Sequence, residues 1–156
     1  MGMSITLRDY LESFGLQYDL LQHMHTSCSA ETAQVAHISS ANLAKSVVVE
    51  NNHECIACVV PASEYVEFSE LDNVMGSHFF LATEEELAEL FVDCERGAVP
   101  AAAQAYGMKV LVDERLLDCE DVYFEAGDHV ALVHMTGEEF NALMATAGHA
   151  QITRHS

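Results

Sequence analysis

Positive charge is what this chain lacks most. Six Lys and Arg residues stand against 25 Asp and Glu, a formal net charge of −19 at pH 7. That balance argues strongly against general nucleic-acid binding, DNA included, because such binding rests on many Lys and Arg contacts to phosphate. It suits solubility and, where a protein partner is needed, a basic one. No apolar run approaches the ~20 residues of a membrane-spanning helix. Met1-Gly2-Met3-Ser4 has neither the basic nor the apolar stretch of a secretory signal, and Gly2 opens no convincing acylation pattern. A cytoplasmic location without membrane attachment is expected. A disulfide framework is missing too: Cys28, Cys55, Cys58, Cys94 and Cys119 are odd in number and irregular in spacing, which predicts reduced thiols.

What is present is a globular composition. Half of the 156 residues are apolar, enough for one domain over 1–156 with a sizeable core. Thr6 is expected to cap a first helix with Leu7, Tyr10, Leu11 and Phe14 on one face and Gly15 as its stop. Tyr18–Leu21 reads as extended, Ser29 opens a short helix to His37, and a turn over Ser40–Leu43 follows. Lys45–Glu50 and Cys55–Val60 form a predicted hairpin. Ser69–Met75 is a predicted helix, His78–Ala82 a strand, and Thr83-Glu84-Glu85-Glu86 a capping box. Arg96–Gly107 breaks into a loop. Met108–Val112, Val122–Glu125 and Val130–Met135 are predicted strands, the last two joined through Gly127-Asp128. Thr136 starts a closing helix with a second capping box, Gly148 ends it, and the tail 149–156 is expected to fray. With no βαβ repeat, the fold class is a mixed α+β domain built on a curved sheet.

Among the few cations, Lys45 draws attention because it enters an apolar run, Ala44-Lys45-Ser46-Val47-Val48-Val49. An ammonium at the mouth of a buried strand is costly unless it has a partner or a task; otherwise it snorkels to the surface. Cys55-x-x-Cys58 suggests a redox or zinc pair, but it lies within a predicted strand, where residues three apart face opposite ways, and no second pair completes a zinc site. His23 and His25 likewise have no accompanying ligand set, so no metal or other cofactor is expected.

Three segments complete the pattern: Asn42-Leu43-Ala44-Lys45-Ser46, Gly97-Ala98-Val99-Pro100 and Phe124-Glu125-Ala126-Gly127-Asp128-His129. In this order and spacing, with Val110–Leu117 following the proline loop, the chain resembles the YbaK/prolyl-tRNA-editing family from about Tyr18 to Leu143. The resemblance implies a trans-acting aminoacyl-tRNA deacylase whose partner is the acceptor end of a mischarged tRNA. It implies Lys45 as the main functional side chain, with Ser46, Gly97, Ala98, Pro100, Gly127, Asp128 and His129 around the substrate. The chemistry suits these residue types. An aminoacyl ester needs a placed water or ribose hydroxyl and a charge near the oxyanion, and glycine admits close backbone approach.

Two departures qualify the resemblance. Ala101, followed by Ala102 and Ala103, stands where the family has a second proline, which predicts a looser loop and a smaller, apolar pocket wall. The negative charge leaves few phosphate contacts, so either only the terminal nucleotide is touched, or a basic partner such as a synthetase delivers the tRNA, or tRNA is no longer bound. The alternatives are therefore a binding module without catalysis and a hydrolase of small esters.

Overall fold

A computed structural model describes residues 3–24 and 29–155; Cys28 and His25 lie outside them. The first helix, α1 (Ile5–Ser13), is capped by Ser4 rather than Thr6: Ser4 Oγ accepts from the Leu7 amide. The predicted extended piece is β1 (Asp19–Gln22), and α2 (Ser29–Val35) follows. The long hairpin is β2 (Leu43–Glu50) with β3 (Cys55–Pro61), in register from Ala44 opposite Pro61 to Glu50 opposite Cys55. Its turn is closed by Asn51, whose side-chain oxygen accepts from the amides of His53 and Glu54, an Asx turn.

Next come β4 (Glu64–Val66), α3 (Phe68–Met75), β5 (Phe80–Leu81) and α4 (Glu84–Leu90), the last with the complete capping box on Thr83. A loop containing a 3-10 turn at Ala103–Tyr106 leads to β6 (Lys109–Asp113), α5 (Glu114–Leu117), β7 (Asp121–Glu125), β8 (Ala131–Thr136) and α6 (Gly137–Leu143). Thr136 caps α6, but Glu139 does not complete the expected box: its carboxylate accepts from the Gln17 amide instead.

The tail overturns its expectation. It forms β9 (Gly148–Ala150), parallel to β6, and β10 (Thr153–His155), antiparallel to β4. Ile152 between them is fully buried. The anchor is Asp113, a buried carboxylate that accepts from the Ile152 amide and the Thr153 hydroxyl. The fold is thus a mixed α+β domain on one mixed sheet ordered β1-β8-β7-β2-β3-β6-β9, with β5 also on β2, plus the small β4–β10 pair.

The two sheet faces carry different cores. Ala44, Val48, Val59, Val112, Phe124 and Val133 face the larger one, which also takes in Leu7, Leu11, Phe140 and the Ala101–Ala103 run. On the opposite face, Val49, Ile56, Cys58 and Val60 pack with Leu71 and Phe79, and Leu43 and Leu132 pack with Ala33 of α2. Cys55 packs with the first core and Cys58 with the second, so the pair is split across the sheet. Burial pushes the Cys58 thiol up to about 12. Among the described residues no group of His, Cys, Asp and Glu is placed to hold a metal, and no helix is long and apolar enough to cross a membrane.

Candidate functional site

The candidate site lies where two parallel strands stop pairing. β2 and β7 are in register at Leu43 with Tyr123 and at Ala44 with Phe124. Beyond that rung, β7 ends at Glu125, while β2 runs on until Val49 meets Leu81 of β5. The opened stretch of β2 holds Lys45 and Ser46. Because side chains alternate along a strand, these two face opposite sides. Ser46 Oγ donates to the Pro100 carbonyl at 3.0 Å, which fastens the Gly97–Pro100 loop to the strand. Lys45 shares the other face with Leu43 and with Glu125.

The Gly97–Pro100 loop is held more firmly than the missing proline predicts. Ala101, Ala102 and Ala103 are fully buried in the larger core, so they anchor the loop rather than line a pocket wall. Their small size lets the backbone enter that core. Gly97 has φ +78, a left-handed conformation that favours glycine. The Ala98 amide donates to the Glu95 carbonyl and is unavailable to a ligand. The amides of Gly97 and Val99 make no such backbone bond.

The third segment meets the second. The Glu95 amide donates to the Gly127 carbonyl at 2.7 Å, and His129 Nε2 donates to the Arg96 carbonyl at 2.5 Å. His129 is buried and has φ +59, a left-handed conformation that costs energy outside glycine and concentrates at functional sites. Asp128 commits one carboxylate oxygen to its own turn. Its Oδ1 accepts from the amides of Val130 and Ala131, so it builds the turn that sets His129.

Behind the turn lies a polar network that the sequence did not reveal. Gly127 has φ +117, and a side chain there would come within 3.0 Å of Ser4 Cβ and 3.3 Å of Cys94 Sγ. Ser4 Oγ donates to Asp93 at 2.9 Å, Tyr106 Oη donates to the same carboxylate at 2.5 Å, and the Thr6 amide adds a third bond. Burial opposes ionisation of Asp93, but the bonds from Tyr106, Thr6 and Ser4 outweigh it and bring the group to about 2. Cys94, 3.2 Å from Tyr106 Oη, is pushed up to about 11, mainly by burial. Spacing gave no clue, since the members lie up to 102 residues apart.

Electrostatically the site is the exception in an acidic molecule. Arg8, Lys109, Arg115 and Arg154 each pair with a carboxylate (Asp9, Glu54, Glu64 and Glu67). Among the described residues, the cations in no ion pair are Lys45 and Arg96, and Arg96 directly precedes the Gly97 loop. Lys45 is half-buried, its ammonium 5.4 Å from the centre of the Tyr65 ring. Burial lowers its pKa below the ordinary lysine range.

The chain resembles known proteins in sequence and in fold. The family profile described as an aminoacyl-tRNA editing domain matches residues 23–143. A hypothetical protein of solved structure shares 24% identity, with a TM-score of 0.85 over 96% of this chain and 99% of its own. A candidate trans-editing enzyme for prolyl-tRNA synthetase shares 23%, with a TM-score of 0.84 over 97% and 96%. Part of a candidate signal transduction protein from Marinobacter aquaeolei VT8 is similar at 15%, with a TM-score of 0.78 over 97% of this chain and 31% of that one. No curated protein matches the sequence. These structural likenesses establish the fold, and the profile spans most of the chain: it belongs to the aminoacyl-tRNA editing domain family.

Proposed function

We propose that the protein is a trans-acting deacylase that hydrolyses the ester of a mischarged aminoacyl-tRNA and acts where charged tRNA is used, in the cytoplasm. One observation carries the reading. In a molecule with 25 acidic residues, the half-buried ammonium of Lys45 takes no carboxylate partner among the described residues. Withholding a counter-ion from a desolvated cation costs energy, and an incoming phosphate or ribose recovers it.

In this reading Lys45 holds the terminal nucleotide and so orients the ester. Amides of Gly97 and Val99 approach the carbonyl oxygen, where negative charge develops. Water adds to the carbonyl carbon, the ester carbon–oxygen bond breaks, and the ribose oxygen takes up a proton. Free amino acid and uncharged tRNA leave. Ser46 and Asp128 support the substrate loops, while His129 borders the ester.

The test is deacylation of a panel of mischarged tRNAs at low salt by the purified protein. Release of one or a few amino acids supports the reading and names the substrate; an inactive panel, with a well-folded protein, removes it. The charge balance favours a second reading, a binding module that keeps the pocket without turnover. With four of six cations already paired, few remain for tRNA phosphates. A salt titration separates the two: tRNA affinity that weakens with salt belongs to the deacylase, and no affinity at low salt to the module.

A further inference from the structure

Lys45 and Glu125 each lie one residue beyond the last paired rung of β2 and β7, on the same face of the sheet. Among the described residues they are the one cation and the one acid at the opened strand edge. No ion pair joins them, although pairing is the simplest way to offset burial for both. Lys45 turns to the Tyr65 ring instead. Glu125 is 4% exposed. One of its oxygens, Oε1, accepts from the buried Thr32 hydroxyl at 2.9 Å and lies 3.8 Å from His129 Nδ1. The other, Oε2, is buried with no hydrogen-bond partner among the described residues. A carboxylate oxygen buried without a donor is uncommon and calls for an explanation.

Two opposite charges held side by side but apart suit a ligand that carries both. From these positions we infer that Glu125 receives the α-ammonium of the aminoacyl group, while Lys45 takes the anionic end of the same substrate. This rests on the deacylase reading and narrows its substrate class to esters whose amine is free. An aminoacyl-tRNA brings one ammonium, close to the reacting carbonyl, and a phosphate on the terminal nucleotide. Thr32 fixes the carboxyl through Oε1 and leaves Oε2 for the ammonium. The low-dielectric surroundings strengthen that contact. N-acylated or α-hydroxy analogues keep the ester but leave Oε2 unpaired, so they are rejected.

Binding tests the assignment without relying on turnover. The probe is 3′-amino-3′-deoxyadenosine 5′-phosphate carrying an alanyl amide, a stable stand-in for the charged end. Its counterparts are the lactyl amide, with hydroxyl in place of the amine, and the N-acetylalanyl amide. A bond to a charged group is worth about 10- to 100-fold in affinity. Calorimetry is expected to show the free amine binding tighter than either counterpart by about that factor, and Glu125→Gln, checked for folding by thermal melting, to erase the difference. The wild-type comparison stands even if the variant does not fold. Equal binding of all three probes overturns the role of Glu125 and leaves the deacylase reading intact. No binding of any probe, with or without the 5′-phosphate, overturns both.

Discussion

Two carboxylates flank the Gly127–His129 turn, and they are treated in opposite ways. Asp93, behind it, receives bonds from Ser4, Tyr106 and the Thr6 amide. Glu125, in front, receives one from Thr32 and keeps an oxygen without a partner. The first is a structural acid: it ties α1, the segment after α4 and the 3-10 turn together beneath Gly127. The second takes its one bond from Thr32 and lies across from Lys45, one residue beyond the last β2–β7 rung. The contrast separates a carboxyl group whose bonds tie three segments together from one that keeps unused hydrogen-bonding capacity beside Lys45.

The difference also sets opposite pH behaviour. Asp93 in the folded protein ionises near 2, below its ordinary 3.8. Its contribution is therefore present above the ordinary value and is lost as pH falls toward 2. Glu125 is raised, chiefly by burial. Between its ordinary value and the raised one, the folded protein keeps a proton that the unfolded chain has released, so its contribution is present at acid pH and is lost as pH rises through the raised value.

Breaking the satisfied side has the largest effect. Asp93→Ala strands the Ser4 and Tyr106 hydroxyls and is expected to cost about 3 kcal/mol in urea unfolding. Asp93→Asn is expected to remove the acid-side loss of stability between about pH 4 and pH 2. Gly127→Ala forces a side chain against Ser4 at a positive φ and is expected to cost about 2 kcal/mol; an unchanged melting curve would mean that the turn yields. On the other side, Glu125→Gln is expected to raise stability at neutral pH by about 1 kcal/mol, since it removes a buried ionisable group. A loss instead would show that the carboxylate is structural. The smallest effect belongs to Arg96→Ala. It is expected to leave stability unchanged and to lower the slope of log affinity for tRNA against log salt by about 1.

The sequence showed the fold class, and singled out the segments of the candidate site, for physical reasons. The hairpin around Asn51, the capping box at Thr83 and the strands near Lys45 follow from local patterns strong enough to survive packing. The tail did not, because β9 and β10 are three residues each and depend on Asp113, a contact made across 40 residues. Lys45 stood out through scarcity of charge. The Gly97–Pro100 and Gly127–His129 segments stood out through resemblance, and the structure brings them together through the Arg96 carbonyl. What could not be read was which member does what. Ser46 and Asp128 spend their hydrogen bonds on the loops, and the Asp93 network and the orphan oxygen of Glu125 arise only from long-range packing.

In the proposed function, Lys45 is kept without a counter-ion for the substrate. The most direct test of that role is Lys45→Ala, followed by deacylation of the preferred mischarged tRNA alongside thermal unfolding. Turnover is expected to fall by about 100-fold or more, with stability changed by less than about 1 kcal/mol. Turnover like that of the wild type would contradict the role.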